Sequence, residues 1–197
     1  IKMSLKSYKP YTKSTRTTIL VDRKGIWKGS PVKSLTKGKI SSGGRNNYGR
    51  ITSRAKGSGH KKRYREIDFY RNKLDVKGKV ERIEYDPNRT SFIALIKYED
   101  KTMNYIICPQ NLKTGDEVIS GEKKEIKIGN NMPLRDIPPG TLVHNVELEE
   151  GNGGKLARSA GSSVTLSGFD GEHAIIKLSS GESRKVRSGC KATIGSV

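Results

Sequence analysis

The stretch KGKVERIEYDPNRTSFIALIKY (Lys77–Tyr98) decides the fold class. Its first part places Val80, Ile83 and Tyr85 near one face of an extended segment, and its last part, SFIALIKY, is a second apolar run. Short alternating runs of this kind indicate β-strands. Between them, DPNRT has Asp and Pro in favoured turn positions, so the stretch predicts two strands joined by a turn.

The strand pattern continues to the carboxyl end of the chain. MNYIICP predicts a third strand, TGDEVISG and KKEIKIGNNMPL predict shorter ones, and Asp170-Gly171 and Ser180-Gly181 mark tight hairpin turns. No stretch keeps a helical period. The spacing predicts an all-β chain with two units of about 60 residues each, for which barrels are the expected form. The predicted divisions are 1–78, 79–137 and 138–197, the last one falling at Pro138-Pro139.

The positive charge is concentrated in the amino-terminal part. Residues 1–75 contain 21 Lys/Arg against 4 Asp/Glu, whereas residues 76–197 contain 18 against 16. The basic part has few apolar residues and many glycines, and TTILV (Thr17–Val21) is its one clear strand candidate. Such a segment buries too little apolar surface to offset its ordering entropy. We therefore expect an extension that is disordered alone and ordered by a polyanion.

Folded RNA is the polyanion that the extension fits best. Ser42–Arg65 has eight Lys/Arg, five Gly and no acidic residue. Glycine lets the backbone follow irregular grooves, arginine holds phosphates, and Tyr48 and Tyr64 are spaced to stack on unpaired bases. A protein that organises duplex DNA remains the main alternative. A membrane partner is not expected, because no apolar run approaches the roughly 20 residues of a spanning helix.

No motif in the sequence indicates catalysis or a cofactor. Cys108 and Cys190 lie far apart, with no Cys or His at metal-binding spacing, and are expected to be free thiols. His60, His144 and His173 lie in unrelated contexts, and each is expected at the surface or facing RNA. We predict no resident metal, and Mg²⁺ only as an ion associated with RNA.

One pair of carboxylates raises an enzyme alternative. Glu66 and Asp68 could hold Mg²⁺ for a nuclease reaction. They are flanked by Arg65 and Arg71, however, which favours ion pairs over a metal site.

Five motifs identify a resemblance to a known family. SGGRNNYGRIT, GSGHKKRYR, EYDPNR, HNVE and GGKLARSAG, in this order, resemble the universal large-subunit ribosomal protein family L-two in its bacterial and organellar form. The resemblance runs from about residue 15 to Val197. It implies a long basic irregular extension, an OB-fold barrel and then an SH3-like barrel. It also implies a non-enzymatic protein that binds rRNA near the peptidyl transferase centre and supports subunit assembly and association.

The resemblance also indicates which residues contact rRNA. It implies a role for Arg89 of the YDPNR turn and for Arg158 of LARSAG, and it places the extension motif among rRNA helices. Together with the charge pattern, the predicted RNA-binding residues are Arg45, Asn46, Asn47, Tyr48, Arg50, Arg54, Lys56, His60, Lys61, Lys62, Arg63, Arg65, Arg89, Lys155 and Arg158.

The sequence departs from the family pattern in two places. Ser58 stands where a third glycine is usual, and the chain ends at Val197, before the tail that family members usually carry. The expected partners are therefore rRNA, neighbouring ribosomal proteins, the small subunit at an intersubunit bridge, and a separate chain that supplies the tail. The chain also begins at Ile1 rather than Met. These features favour a ribosome of the mitochondrial matrix, with the bacterial cytoplasm or a chloroplast as alternatives.

Overall fold

The computed structural model describes residues 5–39, 41–57 and 59–197, and β-strands dominate it. Within these ranges, one α-helix, α1 (Lys13–Thr17), and two short 3-10 helices, Lys33–Leu35 and Leu134–Asp136, accompany the strands. In chain order the strands of the described residues are β1 (Leu5–Ser7), β2 (Ile19–Val21), β3 (Thr36–Gly38), β4 (Arg63–Arg65), β5 (Gly78–Glu84), β6 (Ile93–Tyr98), β7 (Met103–Ile107), β8 (Glu117–Val118), β9 (Asn131–Pro133), β10 (Leu142–His144), β11 (Val164–Asp170), β12 (His173–Lys177), β13 (Ser183–Arg187) and β14 (Lys191–Ile194).

The predicted fold class is confirmed: the chain is all-β, with strongly curled sheets of the OB-like and SH3-like barrel types. The first sheet has the antiparallel order β7-β6-β5-β8, and the second has the order β13-β12-β11-β10-β14-β9. Within the described ranges, no helix is long and apolar enough to cross a membrane.

The two strands predicted from the opening stretch are confirmed as β5 and β6. Val80 pairs with Ile96 but Arg82 pairs with Leu95, so one extra residue bulges out of β5. The bulge brings Val80 and Ile83 to the same buried face although they are three positions apart. The prediction for Tyr85 is wrong: it lies beyond the end of β5 and is 37% exposed.

Strand β6 is buried on both faces. Ala94 and Ile96 face the interior of the first barrel, while Ile93 and Leu95 face a second apolar cluster. Val32 and Leu35 of the extension pack against that second cluster. This two-sided burial explains why the sequence of β6 is continuously apolar rather than alternating. The basic extension therefore supplies part of the core, which its composition did not predict.

The second sheet encloses its own apolar core and begins before the predicted division at Pro138-Pro139. Strand β9 pairs antiparallel with β14, and Met132 and Leu134 belong to the core of this sheet. By strand pairing, residues 131–133 thus belong with the second barrel. The division at residue 137 remains a prediction of the sequence.

The extension forms two small hairpins and little core. Strand β1 pairs with β2, and β3 pairs with β4. The TTILV candidate is a strand only from Ile19, because Thr17 ends helix α1, which starts at the capping box of Thr12. Of the described residues before position 71, only Ile26, Gly43 and Gly44 are buried. This sparse burial agrees with a segment whose own packing stabilises it weakly.

Candidate RNA-binding surface

Phe69 brings together two of the predicted RNA-binding arginines. The guanidinium carbon of Arg158 lies 4.7 Å from the centre of the Phe69 ring, and that of Arg89 lies 5.8 Å from it. Both distances are within the range of a cation–π contact. Three parts of the chain therefore meet at one aromatic ring: the end of the extension, the turn after β5 and the loop before β11. We call this set, Phe69, Arg89 and Arg158, the Phe69 surface.

A buried carboxylate shapes the turn that carries Arg89. Asp86 is fully buried, and its Oδ1 accepts hydrogen bonds from the backbone N–H of Asn88 at 2.9 Å and from the Asn88 side-chain amide at 3.0 Å. Arg89 donates from Nε to Asp86 Oδ2 at 2.6 Å. Arg65 lies 3.9 Å from the same carboxylate. One negative charge thus faces two positive ones, which leaves a local positive excess.

The loop that carries Arg158 is held by Glu147 of the HNVE motif. The buried Glu147 carboxylate accepts backbone hydrogen bonds from Gly153 at 3.1 Å and from Lys191 at 3.0 Å. A side chain at Gly154 would overlap the carboxamide of Asn145, so the loop packs directly against that residue. The HNVE motif therefore acts by positioning the loop, while Lys155 and Arg158 remain exposed.

Hydrogen bonds from the second barrel to the first barrel and to the extension fix the Phe69 surface. The N–H of Ala160 donates to Thr90 Oγ1 at 3.1 Å, and Ser91 Oγ donates to the carbonyl of Arg158 at 3.4 Å. The N–H of Gly154 donates to the carbonyl of Phe69 at 3.0 Å. The Arg89 turn and the Arg158 loop are consequently held next to each other.

Arg71, two residues beyond Phe69, joins the barrels from inside. It is 2% exposed, and its guanidinium donates to Ser120 Oγ at 3.1 Å and to the carbonyl of Gly129 at 3.3 Å. Ser120 follows β8 and Gly129 precedes β9, so Arg71 binds both ends of the connection between the sheets. Burial lowers the pKa of Arg71, and the nearby Asp68 carboxylate partly opposes that effect.

The structure corrects one expectation about the histidines. His60 and His173 are exposed, as expected, but His144 is 1% exposed and lies 2.8 Å through Nδ1 from the carbonyl of Gly195. Burial lowers the pKa of His144 to about 4. His144 is thus a neutral core residue rather than one that faces solvent or RNA.

Both cysteines are free thiols in the structure. Burial raises the pKa of Cys108 to about 12 and that of Cys190 to about 11. A thiol with so high a pKa is a poor nucleophile at neutral pH.

The two candidate metal-binding carboxylates have other partners. Glu66 forms an ion pair with Lys37, not with Arg65. Asp68 accepts backbone hydrogen bonds from Tyr70 and Arg71 and a side-chain hydrogen bond from Asn104. In the part of the chain that the structure describes, no cluster of three His, Cys, Asp or Glu side chains is arranged to hold a metal ion.

The tip of the extension is a closed loop around Asn46. The Asn46 side-chain oxygen accepts the N–H of Tyr48 at 3.0 Å and the N–H of Arg50 at 2.9 Å. The carbonyl of Gly44 accepts the N–H of Thr52 at 3.0 Å, which closes the loop at its base. The loop presents its basic and aromatic side chains outwards, and Tyr48 is 83% exposed.

The predicted RNA-binding residues fall into two groups in the structure. Arg65 turns inwards, where its side chain is 12% exposed, and lies beside Asp86, the carboxylate that Arg89 also contacts. Asn46 is half-buried. The exposed members of the loop and of the segment after it are Arg45, Asn47, Tyr48, Arg50, Arg54, Lys56, His60, Lys61, Lys62 and Arg63. The departure at Ser58 lies outside the described residues.

Sequence reasoning missed Phe69 and Arg71. Neither residue lies in a recognisable motif, and a single Phe in a basic segment has no periodic pattern around it. The one available signal was the apolar character of IDFY in a segment that is otherwise polar and charged.

The chain matches two domain models of one protein family. Residues 32–120 match the family model described as "Ribosomal Proteins L2, RNA binding N-terminal domain", and residues 127–197 match "Ribosomal Proteins L2, C-terminal domain". The chain belongs to the L2 family of ribosomal proteins. The second L2 match begins at residue 127, before β9. It therefore includes β9 in the C-terminal domain, as the pairing of β9 with β14 also does.

Curated bacterial relatives support the same assignment. The chain is 61% identical over 194 residues to the "Large ribosomal subunit protein uL2" of Pelagibacter ubique, covering 98% of this chain and 69% of the relative. It is 60% identical over 195 residues to the proteins of the same name from Gluconacetobacter diazotrophicus and Rickettsia canadensis, covering 99% of this chain and 71% of each relative. The similarity to the bacterial type of the family, inferred from the five motifs, is confirmed.

Proposed function

We propose that this chain is a structural, rRNA-binding constituent of the large ribosomal subunit. The observation that carries the proposal is the convergence of Arg89 and Arg158 on Phe69, at 5.8 and 4.7 Å, in a chain of the L2 family. Two guanidinium groups on one ring form a preorganised site for phosphate oxygens. The function is that of a scaffold for RNA, and we propose no catalytic role.

In the proposed mechanism, the extension neutralises phosphates and the barrels determine where it starts. Its exposed Lys and Arg residues, together with Lys155, would release counterions as rRNA helices pack around them. The full set of contact residues predicted from the sequence stays part of this proposal. Mg²⁺ enters it only as an ion associated with rRNA.

The finer placement within the ribosome is also a proposal. We place the chain near the peptidyl transferase centre, in contact with neighbouring ribosomal proteins, and with a contribution to subunit association at a bridge to the small subunit. The support for these points is the resemblance of the motifs to the L2 family.

We propose the mitochondrial matrix as the location. The named relatives are bacterial, which also fits the alternative of a bacterial cytoplasm. For the domains, we propose the extension at 1–78, the OB-like barrel at 79–137 and the SH3-like barrel at 138–197. Strand β9 and the second family match favour moving the last boundary towards residue 127.

A competition assay tests the proposed function. A labelled transcript of large-subunit rRNA is bound to the chain and then challenged with unlabelled rRNA or with duplex DNA. We expect rRNA to displace the label at much lower concentration, because irregular RNA presents the unpaired bases and grooves that the extension fits. Equal displacement by duplex DNA would instead favour a DNA-organising protein.

Matched variants show whether the Phe69 surface is responsible for rRNA binding. Arg89→Ala and Arg158→Ala are expected to weaken rRNA binding while the chain stays folded, and Arg184→Ala, an exposed arginine of β13, serves as the control. If Arg184→Ala weakens binding as much as Arg158→Ala does, binding depends on total charge and the Phe69 surface is not a site.

A further inference from the structure

We propose that a groove on the flank of the first barrel binds a short single-stranded segment of RNA. The groove lies between the β1–β2 hairpin and the barrel and has a volume of about 580 Å³. Lys6, Tyr8, Arg23, Lys28, Tyr85 and Thr90 are among the residues that line it. We call it the flank groove. The proposal rests on the proposed function and adds a ligand class at a second place on the chain.

Two exposed aromatic rings in the flank groove are each accompanied by a cation. The guanidinium of Arg23 lies 3.6 Å from the centre of the Tyr85 ring, and Lys6 Nζ lies 5.4 Å from that of Tyr8. Tyr85 is 37% and Tyr8 is 43% exposed. Aromatic rings beside cations are the arrangement with which proteins bind single strands: the bases stack and the cations meet the phosphates.

The charge of the flank groove favours an anionic ligand. Lys6, Arg23, Lys24 and Lys28 line it, with Asp22 as the one acidic residue, 3.6 Å from Lys24. This leaves an excess of positive charge over an apolar floor. Unpaired nucleotides combine flat apolar faces with one negative charge per phosphate, so they complement both properties.

The extension is held against the barrel beside the flank groove. Ile26 is 6% exposed, and the N–H of Trp27 donates to the carbonyl of Ile83 in β5 at 2.9 Å. These contacts fix the backbone three residues from Arg23. The stacked Arg23–Tyr85 pair is therefore in place before any ligand arrives, which reduces the entropy lost on binding.

The flank groove is continuous with the Phe69 surface. Thr90 and Ala160 both line the groove and are joined by the 3.1 Å hydrogen bond between the two barrels. Thr90 follows Arg89 directly, and Ala160 lies two residues after Arg158. A strand whose phosphates contact the Phe69 surface can thus continue into the groove. This continuity is why we assign the groove to RNA rather than to an acidic peptide.

Binding of labelled hexauridylate to the full chain, followed by fluorescence anisotropy, tests the proposal. Tyr85→Leu removes the stacking ring, and Arg23→Gln removes the cation above it. We expect each change to weaken hexauridylate binding at least about fivefold, which is the lower end of the range for one base stacking contact. Arg184→Gln carries the same loss of charge outside the groove and is expected to change affinity less than about twofold.

Three results would overturn the proposal. Equal weakening by Arg184→Gln would reduce the binding to general electrostatics. Stronger competition by hexaglutamate than by unlabelled hexauridylate would assign the groove to an acidic peptide. Unchanged affinity in both groove variants would show that the groove is not a binding site. As a control, circular dichroism spectra that match those of the unmodified chain would exclude misfolding as the cause of any loss of affinity.

The outcome of this test can be distinguished from the outcome of the competition assay that tests the proposed function. If the groove variants keep full affinity for hexauridylate while Arg158→Ala still weakens rRNA binding, only the proposal for the flank groove is refuted. If the unmodified chain does not prefer rRNA over duplex DNA, the proposed function fails whatever the groove binds.

Discussion

Replacing Phe69 by leucine should weaken rRNA binding through Arg158 and not through Arg89. Leucine keeps an apolar side chain at the position but removes the aromatic ring. Arg158 lies 4.7 Å from the ring centre, whereas Arg89 lies 5.8 Å away, close to the limit of a cation–π contact. Arg89 is also held by its 2.6 Å hydrogen bond to Asp86, which the substitution leaves in place.

The expected loss follows from these distances. A cation–π contact at an exposed site contributes about 0.5–1 kcal/mol, and the contact with Arg158 is the closer of the two that the substitution removes. The affinity of the Phe69→Leu chain for rRNA should therefore fall about two- to fivefold. A filter-binding or anisotropy titration at fixed salt concentration measures the change. Phe169→Leu, at a 42% exposed phenylalanine of β11, is the matched control.

A double-mutant cycle identifies the arginine that is affected. In an Arg158→Ala background, Phe69→Leu should cause no further loss, because its partner is already absent. In an Arg89→Ala background it should cause the same loss as in the unmodified chain. The opposite pattern would refute the reasoning from distance and hydrogen bonding.

Three further predictions follow from the fold and the charge of the chain. Arg71→Met should lower the free energy of unfolding by about 2–5 kcal/mol in urea denaturation, because Ser120 Oγ and the Gly129 carbonyl lose a buried donor. The side chain of Arg135 is 52% exposed, so the control Arg135→Met should lower it by less than about 1 kcal/mol. Because the pKa of His144 is depressed to about 4 in the fold, the free energy of unfolding should be highest above pH 6.5 and should decline as the pH falls from 6.5 towards 4. In that range only the unfolded chain takes up the proton. His144→Gln should flatten the decline, and the control His173→Gln should not. Affinity for rRNA should fall by roughly 10³–10⁵ between about 50 and 200 mM salt if 6–10 phosphates are neutralised, and a flat response would contradict the electrostatic mechanism.

The strands were largely predictable because their apolar residues act locally. Each face of β5 and β6 is decided by residues in the same short run, so the Lys77–Tyr98 stretch predicted both strands. The bulge in β5 and the exposure of Tyr85 were not predictable, since they depend on pairing with β6 and on Arg23, which is distant in sequence.

The candidate surface was predictable only in part. Arg89 and Arg158 were identified from the motifs around them, but their common partner Phe69 lies outside every motif. His144 was misjudged because its neighbours in the sequence are polar on one side, whereas its burial comes from the packing of β10 against β14. Contacts between distant segments account for each of these differences.

The closed loop at Asn46 has a consequence for base selection. Its side-chain oxygen already receives two backbone N–H groups, so the remaining polar group of the side chain is the amide NH₂, which only donates. In the proposed contact with RNA, Asn46 would donate to acceptor atoms such as guanine O6 and N7 or uracil O4, and it would not form the bidentate pair with adenine N6 and N7, which needs a free oxygen as well as the NH₂ group. The oxygen that holds the loop together would thereby reduce the contacts that Asn46 can make with adenine if the loop binds RNA as proposed.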